Sequence, residues 1–264
     1  MSSDYTPIVG LTPVYRIVAI ASGVGKTSLG TELVKRLSRR GVRLAVVKQT
    51  HQKVIDEFSD QGRYWKSGAE AVIVSSPEAM LVIKEPYTSL REIVLTMKYF
   101  PLVLAEGFLG ASVGRAIAIV TEPKEINLLI REEKGLWFIV SNDIDVVENA
   151  KSIGFNALLM DEVEHLAGEI YQDAIQLIAS RFKGDPEVCG VGSWADLAEK
   201  ILHGLALPYE CPYAYPLRVQ VDEEYLELDP KVQRIIASIL EGFVAGIVGS
   251  SARPKRIKIE YRME

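Results

Sequence analysis

The chain has 264 residues, 48% of them hydrophobic, and its 30 Lys and Arg stand against 35 Asp and Glu for a net charge of −5. This length and apolar content predict one large packed domain followed by a smaller one. The acidic balance argues against a broad nucleic-acid-binding surface, and because no apolar run is long enough to span a bilayer, we expect a cytoplasmic protein without membrane contact.

The first predicted elements are a short strand, a glycine-rich loop and an amphipathic helix. Residues 14–20 are mostly apolar and β-branched, residues 22–28 read SGVGKTS, and apolar side chains then recur at helical spacing as far as Gly41. This order is the one that a phosphate-binding P-loop requires. An ordinary glycine turn that opens a helix is the alternative, and the GKT sequence argues against it.

The loop carries most of the chemistry of a Walker A motif. Gly23 and Gly25 permit a tight turn whose backbone N–H groups converge on phosphate oxygens. Lys26 supplies charge for the β- and γ-phosphates, and Thr27 supplies a hydroxyl for Mg²⁺. The complete motif begins with a glycine at the position where this chain has Ile20. The predicted phosphate-binding residues are Ser22, Gly23, Val24, Gly25, Lys26, Thr27 and Ser28.

Strands and helices alternate through the rest of the first domain. Helices are predicted before Gly68 and at residues 89–98 and 161–182. Apolar runs predict strands at residues 42–48, 71–75, 80–84, 101–107, 116–120 and 136–140. This alternation indicates a mostly parallel α/β sheet flanked by helices, with ligands at the carboxyl ends of the strands. Four polar segments should meet at that edge: the P-loop, KQTH at 48–51, AEG at 105–107 and SND at 141–143.

Three acids are predicted to complete the site. Glu106 ends an apolar strand, which suits a Walker B-like acid that holds Mg²⁺ through water or orients an attacking water; a solvent-facing carboxylate is the alternative. Asp60 is interpreted as a second metal contact or a switch residue, with a helix cap as the alternative. Asp143 is positioned to accept the N1 and N2 protons of guanine, although the usual NKxD tetrad is absent. The predicted catalytic residues are Lys26, Glu106 and Asp60, and the predicted metal ligands are Thr27, Glu106 and Asp60.

The remaining sequence predicts a small α+β domain. The KGDP segment at 183–186 is a plausible boundary, which gives domains of residues 1–183 and 184–264. Within the second domain, residues 217–221 and 225–228 alternate like a hairpin, Asp229 and Pro230 open an amphipathic helix, and residues 256–261 read as a strand. We therefore predict a ββαβ unit near the end of the chain.

The ordered set of P-loop, KQTH, Asp60, SGA at 67–69 and AEGF at 105–108 resembles the MobB family, named for molybdopterin-guanine dinucleotide biosynthesis. The resemblance covers roughly residues 14–160. Family members are P-loop GTP-binding accessory proteins of molybdenum cofactor synthesis, and their loops commonly lack the first glycine. The resemblance implies GTP and Mg²⁺ as ligands, a homodimer, and a molybdopterin guanylyltransferase or a molybdoenzyme as partner. It also implies a phosphate, metal or partner contact for His51.

A second resemblance concerns residues 186–212, which look like a degenerate iron–sulfur module. A [4Fe–4S] cluster needs four thiolates, and only Cys189 and Cys211 are present, with Pro186 and Trp194 in two ligand positions. We expect that no cluster binds and that the two thiols are either unrelated or a disulfide-linked relic.

The sequence favours slow GTP hydrolysis, since neither a clear catalytic glutamine nor an evident arginine finger can be identified. A non-catalytic nucleotide-sensing adaptor, with the C-terminal domain as its output module, is the alternative from another functional class. A nickel-type metallochaperone GTPase would share the fold, but it should show a His or Cys cluster that this chain lacks.

Overall fold

The computed structural model of the chain describes residues 5–50, 56, 58–84, 89–97, 99–182, 186–189 and 191–206, together with 219–221, 224–226, 232, 235–236, 239–240 and 242–243. The strands are β1 (Ile8–Val9), β2 (Thr12–Val18), β3 (Ala45–Lys48), β4 (Ala71–Ser75), β5 (Met80–Lys84), β6 (Val103–Glu106), β7 (Arg115–Ile119), β8 (Leu136–Ser141), β9 (Asn156–Leu159), β10 (Val219–Val221) and β11 (Glu224–Leu226). The helices are α1 (Lys26–Arg39), α2 (Asp60–Lys66), α3 (Leu90–Thr96), α4 (Pro123–Glu132), α5 (Ile144–Ser152), α6 (Val163–Ala179) and α7 (Trp194–Leu202), and Pro186–Cys189 form a 3₁₀ turn.

The central sheet has the strand order β3-β6-β2-β7-β8-β9, and neighbouring strands along this path are parallel. The short β1 pairs antiparallel with the start of β2. This arrangement confirms the predicted mostly parallel sheet flanked by helices, the fold of P-loop NTPases. Because β6 lies directly beside β2, the loops that follow these two strands emerge next to each other.

Two antiparallel pairs lie outside the central sheet. β4 and β5 form a hairpin with the predicted bounds, and β10 and β11 form a second one within the predicted small domain. In the predicted helix of this unit, positions 232, 235–236, 239–240 and 242–243 are described and are helical, and the predicted strand at 256–261 lies outside the described residues. Within the described part of the chain, no helix is long and apolar enough to cross a membrane.

Helices cover both faces of the central sheet, as the alternation of side chains along β2 requires. Tyr15 and Ile17 pack in one apolar cluster with α1, α6 and α7. The other face carries Val14, which packs with α3, and Val18, which packs with α4 and α5. Arg16 lies between these two valines in the strand, and it is fully buried. A charged side chain is therefore enclosed on the second face of the sheet.

The sequence analysis did not predict β1, α4, α5 or β9. Two of these elements begin with residues that are typical of helix starts. Pro123 occupies the first turn of α4, and the Asp143 side chain accepts a hydrogen bond from the backbone N–H of Asp145 at the start of α5. β1 and β9 are only two and four residues long, so neither shows enough alternation to stand out.

Helix α7 packs against the main domain, although it follows the predicted boundary at 183/184. Four of its side chains are buried in the cluster that also contains the α1 and α6 core residues, and Trp194 stacks on Phe182 with ring centroids 5.3 Å apart. The Tyr171 hydroxyl of α6 donates to Glu199 at 2.5 Å and lies 3.2 Å from Nε2 of His203. Burial and the bond to Glu199 raise the pKa of Tyr171 to about 12. The segment that resembles an iron–sulfur module thus contributes a helix to the core of the first domain.

Candidate functional site

The predicted P-loop connects the central strand β2 to helix α1. Gly23 and Gly25 both have positive φ angles, 76° and 99°, which L side chains rarely adopt, so glycine is required for this turn. Gly25 is the residue before α1, and among the described residues no side chain caps this helix and no acid lies in its first turn. Its first N–H groups and its positive dipole end are therefore available to an anion.

The loop borders an open cavity of about 250 Å³. Its lining residues are Gly23, Gly25, Lys26, Thr27, Ser28 and Glu106. Five of these six are predicted phosphate-binding residues and the sixth is the predicted strand-end acid. Of the other two predicted loop residues, Ser22 is exposed and Val24 packs against the apolar cluster below the loop. The cavity matches the size of a small ligand group, such as a phosphate chain, rather than that of a macromolecular surface.

Glu106 meets the loop through its carboxylate. Thr27 Oγ1 donates to this group, at 2.9 Å from Oε1 and 3.1 Å from Oε2, although the two residues are 79 positions apart. Lys48, the last residue of β3, donates from Nζ to Glu106 Oε1 at 2.7 Å and to Thr27 Oγ1 at 3.0 Å. The Glu106 side chain is only 16% exposed, whereas Lys48 is 50% exposed. A carboxylate, a hydroxyl and an ammonium group thus share one corner of the cavity.

Lys26 folds back over the loop. Its Nζ donates to the backbone oxygen of Ala21 at 3.0 Å. This bond keeps the ammonium group beside the N-terminus of α1 rather than in open solvent. With Lys48 bonded to Glu106, Lys26 leaves an excess positive charge next to the cavity, which suits an anionic ligand.

The segment after Glu106 is held by the residue that follows Lys48. Gln49 donates its backbone N–H to the oxygen of Glu106 at 2.9 Å, and its side-chain Oε1 accepts from the Phe108 N–H at 2.7 Å. Gly107 has a φ of 97°, and a Cβ atom there would lie 3.0 Å from Cβ of Gln49. Lys48 and Gln49 are therefore both bonded to the segment of Glu106 and Phe108 at the edge of the sheet.

A buried ion pair fixes the far side of the same loop. Arg16 Nη2 lies 2.6 Å from Oε1 of Glu133, and both side chains are 0% exposed. Arg16 Nη1 also donates to the oxygen of Phe108 at 3.0 Å, while Glu133 Oε2 accepts from the Gly110 N–H at 2.8 Å. The pair connects the strand before the P-loop to the segment that follows Glu106. Arg16 Nη2 also donates to the oxygens of Gly114 and Lys134. The loop therefore satisfies part of the buried charge, and the loop conformation and the pair depend on each other.

The other predicted site residues that the structure describes are not among those that line the cavity. Asp60 lies in the first turn of α2 with a 90% exposed side chain, and its Oδ1 is 4.0 Å from Nη1 of Arg63. Ser59, not Asp60, caps this helix. Asp143 caps α5 after β8, and β7 separates β8 from β2. His51 lies outside the described residues, as do the side chains of Cys189 and Cys211 on which the prediction about an iron–sulfur cluster depends.

Sequence reasoning missed three residues of this region: Lys48, Arg16 and Glu133. Lys48 belongs to the KQTH segment, and it and Glu106 end two apolar strands with opposite charges. These opposite charges at two strand ends are the feature of the sequence from which the Lys48–Glu106 contact could have been predicted. Arg16 and Glu133 are 117 positions apart, and only the folded chain brings them together. Among the described residues, no group of three or more His, Cys, Asp or Glu side chains is arranged to hold a metal ion.

The fold and this geometry define the class of the protein. A glycine loop between the central strand and a helix, with an acid of the adjacent strand bonded to the threonine of the loop, is the arrangement of P-loop NTPases. Residues 14–142 match the family MobB, molybdopterin guanine dinucleotide synthesis protein B. Through this domain the chain is similar to the MobB family.

Comparison with solved structures gives the extent of the likeness. MobB from Bacillus subtilis is 16% identical, its alignment covers 61% of this chain and 97% of that protein, and the TM-score of 0.50 indicates the same fold. A molybdopterin-guanine biosynthesis protein B is 27% identical over 60% of this chain and 98% of its own, with a TM-score of 0.48. No curated protein matches the chain in a sequence comparison.

Proposed function

We propose that this protein is a GTP-binding accessory protein of molybdopterin guanine dinucleotide synthesis, with slow, Mg²⁺-dependent GTPase activity. The family is named for this synthesis, and similarity to it supports a role in the process. The proposal has three further parts: the protein binds GTP, it hydrolyses GTP, and its partner is a guanylyltransferase or a molybdoenzyme.

The observation that carries the proposal is the bond between Thr27 and Glu106 beside the P-loop cavity. An ordinary glycine turn at the start of a helix has no reason to bring a strand-end acid onto the following threonine hydroxyl. In P-loop NTPases these two positions serve the metal ion that accompanies the nucleotide phosphates.

The donor set suits Mg²⁺. This ion prefers a few protein oxygens together with phosphate oxygens and water, and a hydroxyl and a carboxylate at 2.9 Å from each other supply such oxygens. Thr27 and Glu106 would hold the ion, and Asp60 stays a predicted third contact. When bound, Mg²⁺ would neutralise developing phosphate charge. The residues of the chain would bind and orient the phosphates: the backbone N–H groups of 23–28 would donate hydrogen bonds to the phosphate oxygens, and Lys26 Nζ would move from the Ala21 carbonyl to them.

Guanine preference rests on the family resemblance rather than on the geometry. Asp143 is the candidate base contact, and it lies after β8, two strands from β2. At the usual strand spacing this separation is about 10 Å. The phosphate site and the base site would then lie at different positions along the same edge of the sheet.

Calorimetric titration tests the binding step. The protein is titrated with GTP and with ATP, each with Mg²⁺, and the same is done for Lys26→Ala and for Lys35→Ala. Lys35 is an exposed lysine of the same helix that pairs with Glu32, three residues before it, so its removal controls for charge. We expect Lys26→Ala to lose at least about tenfold in GTP affinity, as a charge-assisted bond implies, and Lys35→Ala to match the wild type. Equal binding of ATP would remove the guanine assignment, and an unaffected Lys26→Ala would remove the P-loop argument.

Single-turnover hydrolysis separates a slow enzyme from a nucleotide-sensing adaptor. GTP bound by excess protein should be cleaved slowly by the wild type and more slowly by Glu106→Gln, which loses the carboxylate but keeps the side-chain size. If bound GTP stays intact for hours, with and without a candidate guanylyltransferase, the protein is an adaptor and the enzymatic part of the proposal is wrong.

A further inference from the structure

Lys48 occupies a position at the site that the Walker A motif does not explain. It ends β3 in direct register with Glu106 of β6, and residues in register on parallel neighbouring strands project to the same face of the sheet. Its Nζ is bonded to Glu106 and Thr27 at 2.7 and 3.0 Å. Both of these partners line the cavity. Lys48 is therefore a second lysine of this site, contributed by a different strand from Lys26.

The two oxygens that Lys48 engages are those assigned above to Mg²⁺. An ammonium group and a divalent cation repel each other, and both compete for the same oxygen lone pairs. Lys48 is half exposed, and its side chain has four flexible carbon–carbon bonds, so it can leave these oxygens without disturbing the core. Metal binding at Thr27 and Glu106 would thus release a positive charge beside the phosphate chain.

We propose that Lys48 is a second phosphate-binding lysine that moves from Thr27 and Glu106 to the terminal phosphate of a nucleoside triphosphate. This inference rests on the proposed function, since it concerns the same site. Thr27 would hold the Mg²⁺ ion that accompanies the β- and γ-phosphates, so a cation 3.0 Å from its hydroxyl would lie beside the outer end of the phosphate chain rather than beside the nucleoside. A diphosphate lacks the group that Lys48 would bind. Lys48 thereby favours triphosphate over diphosphate.

The simplest rival is an ordinary surface ion pair between Lys48 and Glu106. Such a pair contributes little to stability and nothing to the choice of ligand. The two interpretations differ in one measurable quantity, the ratio of GTP affinity to GDP affinity. The Mg²⁺ requirement tests a separate step that the proposal needs, the competition between Lys48 and the metal, because a lysine that competes for the metal oxygens raises the metal concentration needed for binding.

The experiment measures GTP and GDP affinity by calorimetry, with Mg²⁺, for the wild type, Lys48→Met, Lys48→Arg and the control Lys35→Met. For Lys48→Met we expect GTP affinity to fall by about tenfold to a hundredfold and GDP affinity by less than about threefold, the difference that one charge-assisted bond makes. Lys48→Arg retains the positive charge and should restore much of the ratio of GTP affinity to GDP affinity. If Lys48→Met folds poorly by circular dichroism, Lys48→Gln provides the same test.

A second readout follows GDP binding as Mg²⁺ is titrated. Lys48→Met should reach half-maximal binding at a lower Mg²⁺ concentration than the wild type. Equal losses of GTP and GDP affinity, or no loss of either, would overturn the role of Lys48 while leaving the proposed function intact. Failure of the wild type to bind any nucleotide would instead overturn the proposed function, and the inference with it.

Discussion

The buried pair of Arg16 and Glu133 provides a quantitative test of how the site loop is held. In Glu133→Ala the Arg16 guanidinium stays buried, and the Gly110 N–H loses its acceptor. The carbonyls of Phe108, Gly114 and Lys134, at 3.0, 3.2 and 2.5 Å from the guanidinium nitrogens, compensate in part. Removing one partner of a buried ion pair costs about 3–5 kcal/mol. We therefore expect the free energy of unfolding to fall by about 3 kcal/mol or more, since the carbonyls do not replace a carboxylate.

Urea denaturation, followed by circular dichroism, measures this change. The series consists of Glu133→Ala, Arg16→Met, the double variant, and Glu32→Ala as an exposed-pair control that should change little. The double variant should be no less stable than Glu133→Ala, because it leaves no uncompensated buried charge. A loss below about 1 kcal/mol in Glu133→Ala, or strictly additive losses, would refute the coupling between the two residues.

Three further predictions concern single positions. In Gly107→Ala we expect the free energy of unfolding to fall by about 1–2 kcal/mol because of the positive φ, and further because the new Cβ would contact Gln49. Gly154 has a similar φ of 91° but open space around it, so Gly154→Ala should show only the loss that the positive φ causes. Urea denaturation measures both changes. Asp143→Asn should keep the cap of α5 and the stability of the protein, but it should reduce the preference for GTP over ATP. If that preference is unchanged, Asp143 serves as a helix cap and not as a base contact. The pKa of Tyr171 is raised to about 12 from the ordinary value of 10, so the folded state favours the neutral phenol. The stability that this preference contributes is fully present below pH 10 and is lost as the pH rises toward 12. Between pH 9.5 and 11, stability should decline less steeply in Tyr171→Phe than in the wild type, and equal slopes would contradict the shift.

The predicted part of the site consists of residues that are close in sequence. SGVGKTS fixes its own conformation, because positive φ angles at Gly23 and Gly25 and the start of a helix at Lys26 are local requirements. Period and composition likewise identified the strands that end at Lys48 and Glu106. Parallel topology then placed both ends at one edge.

The sequence by itself therefore determined the class of fold, the glycine loop between β2 and α1, and the acid that faces this loop. The tertiary structure decided which side chains pair across that edge. Lys48 bonds Glu106 because β3 and β6 are neighbours in the sheet, and this strand order is a property of long-range packing rather than of any local pattern. Arg16 was hidden for the same reason: an arginine within an apolar strand has no visible partner until folding brings Glu133 to it from 117 residues away. Local chemistry specifies which groups are available, and only the folded sheet specifies which of them meet.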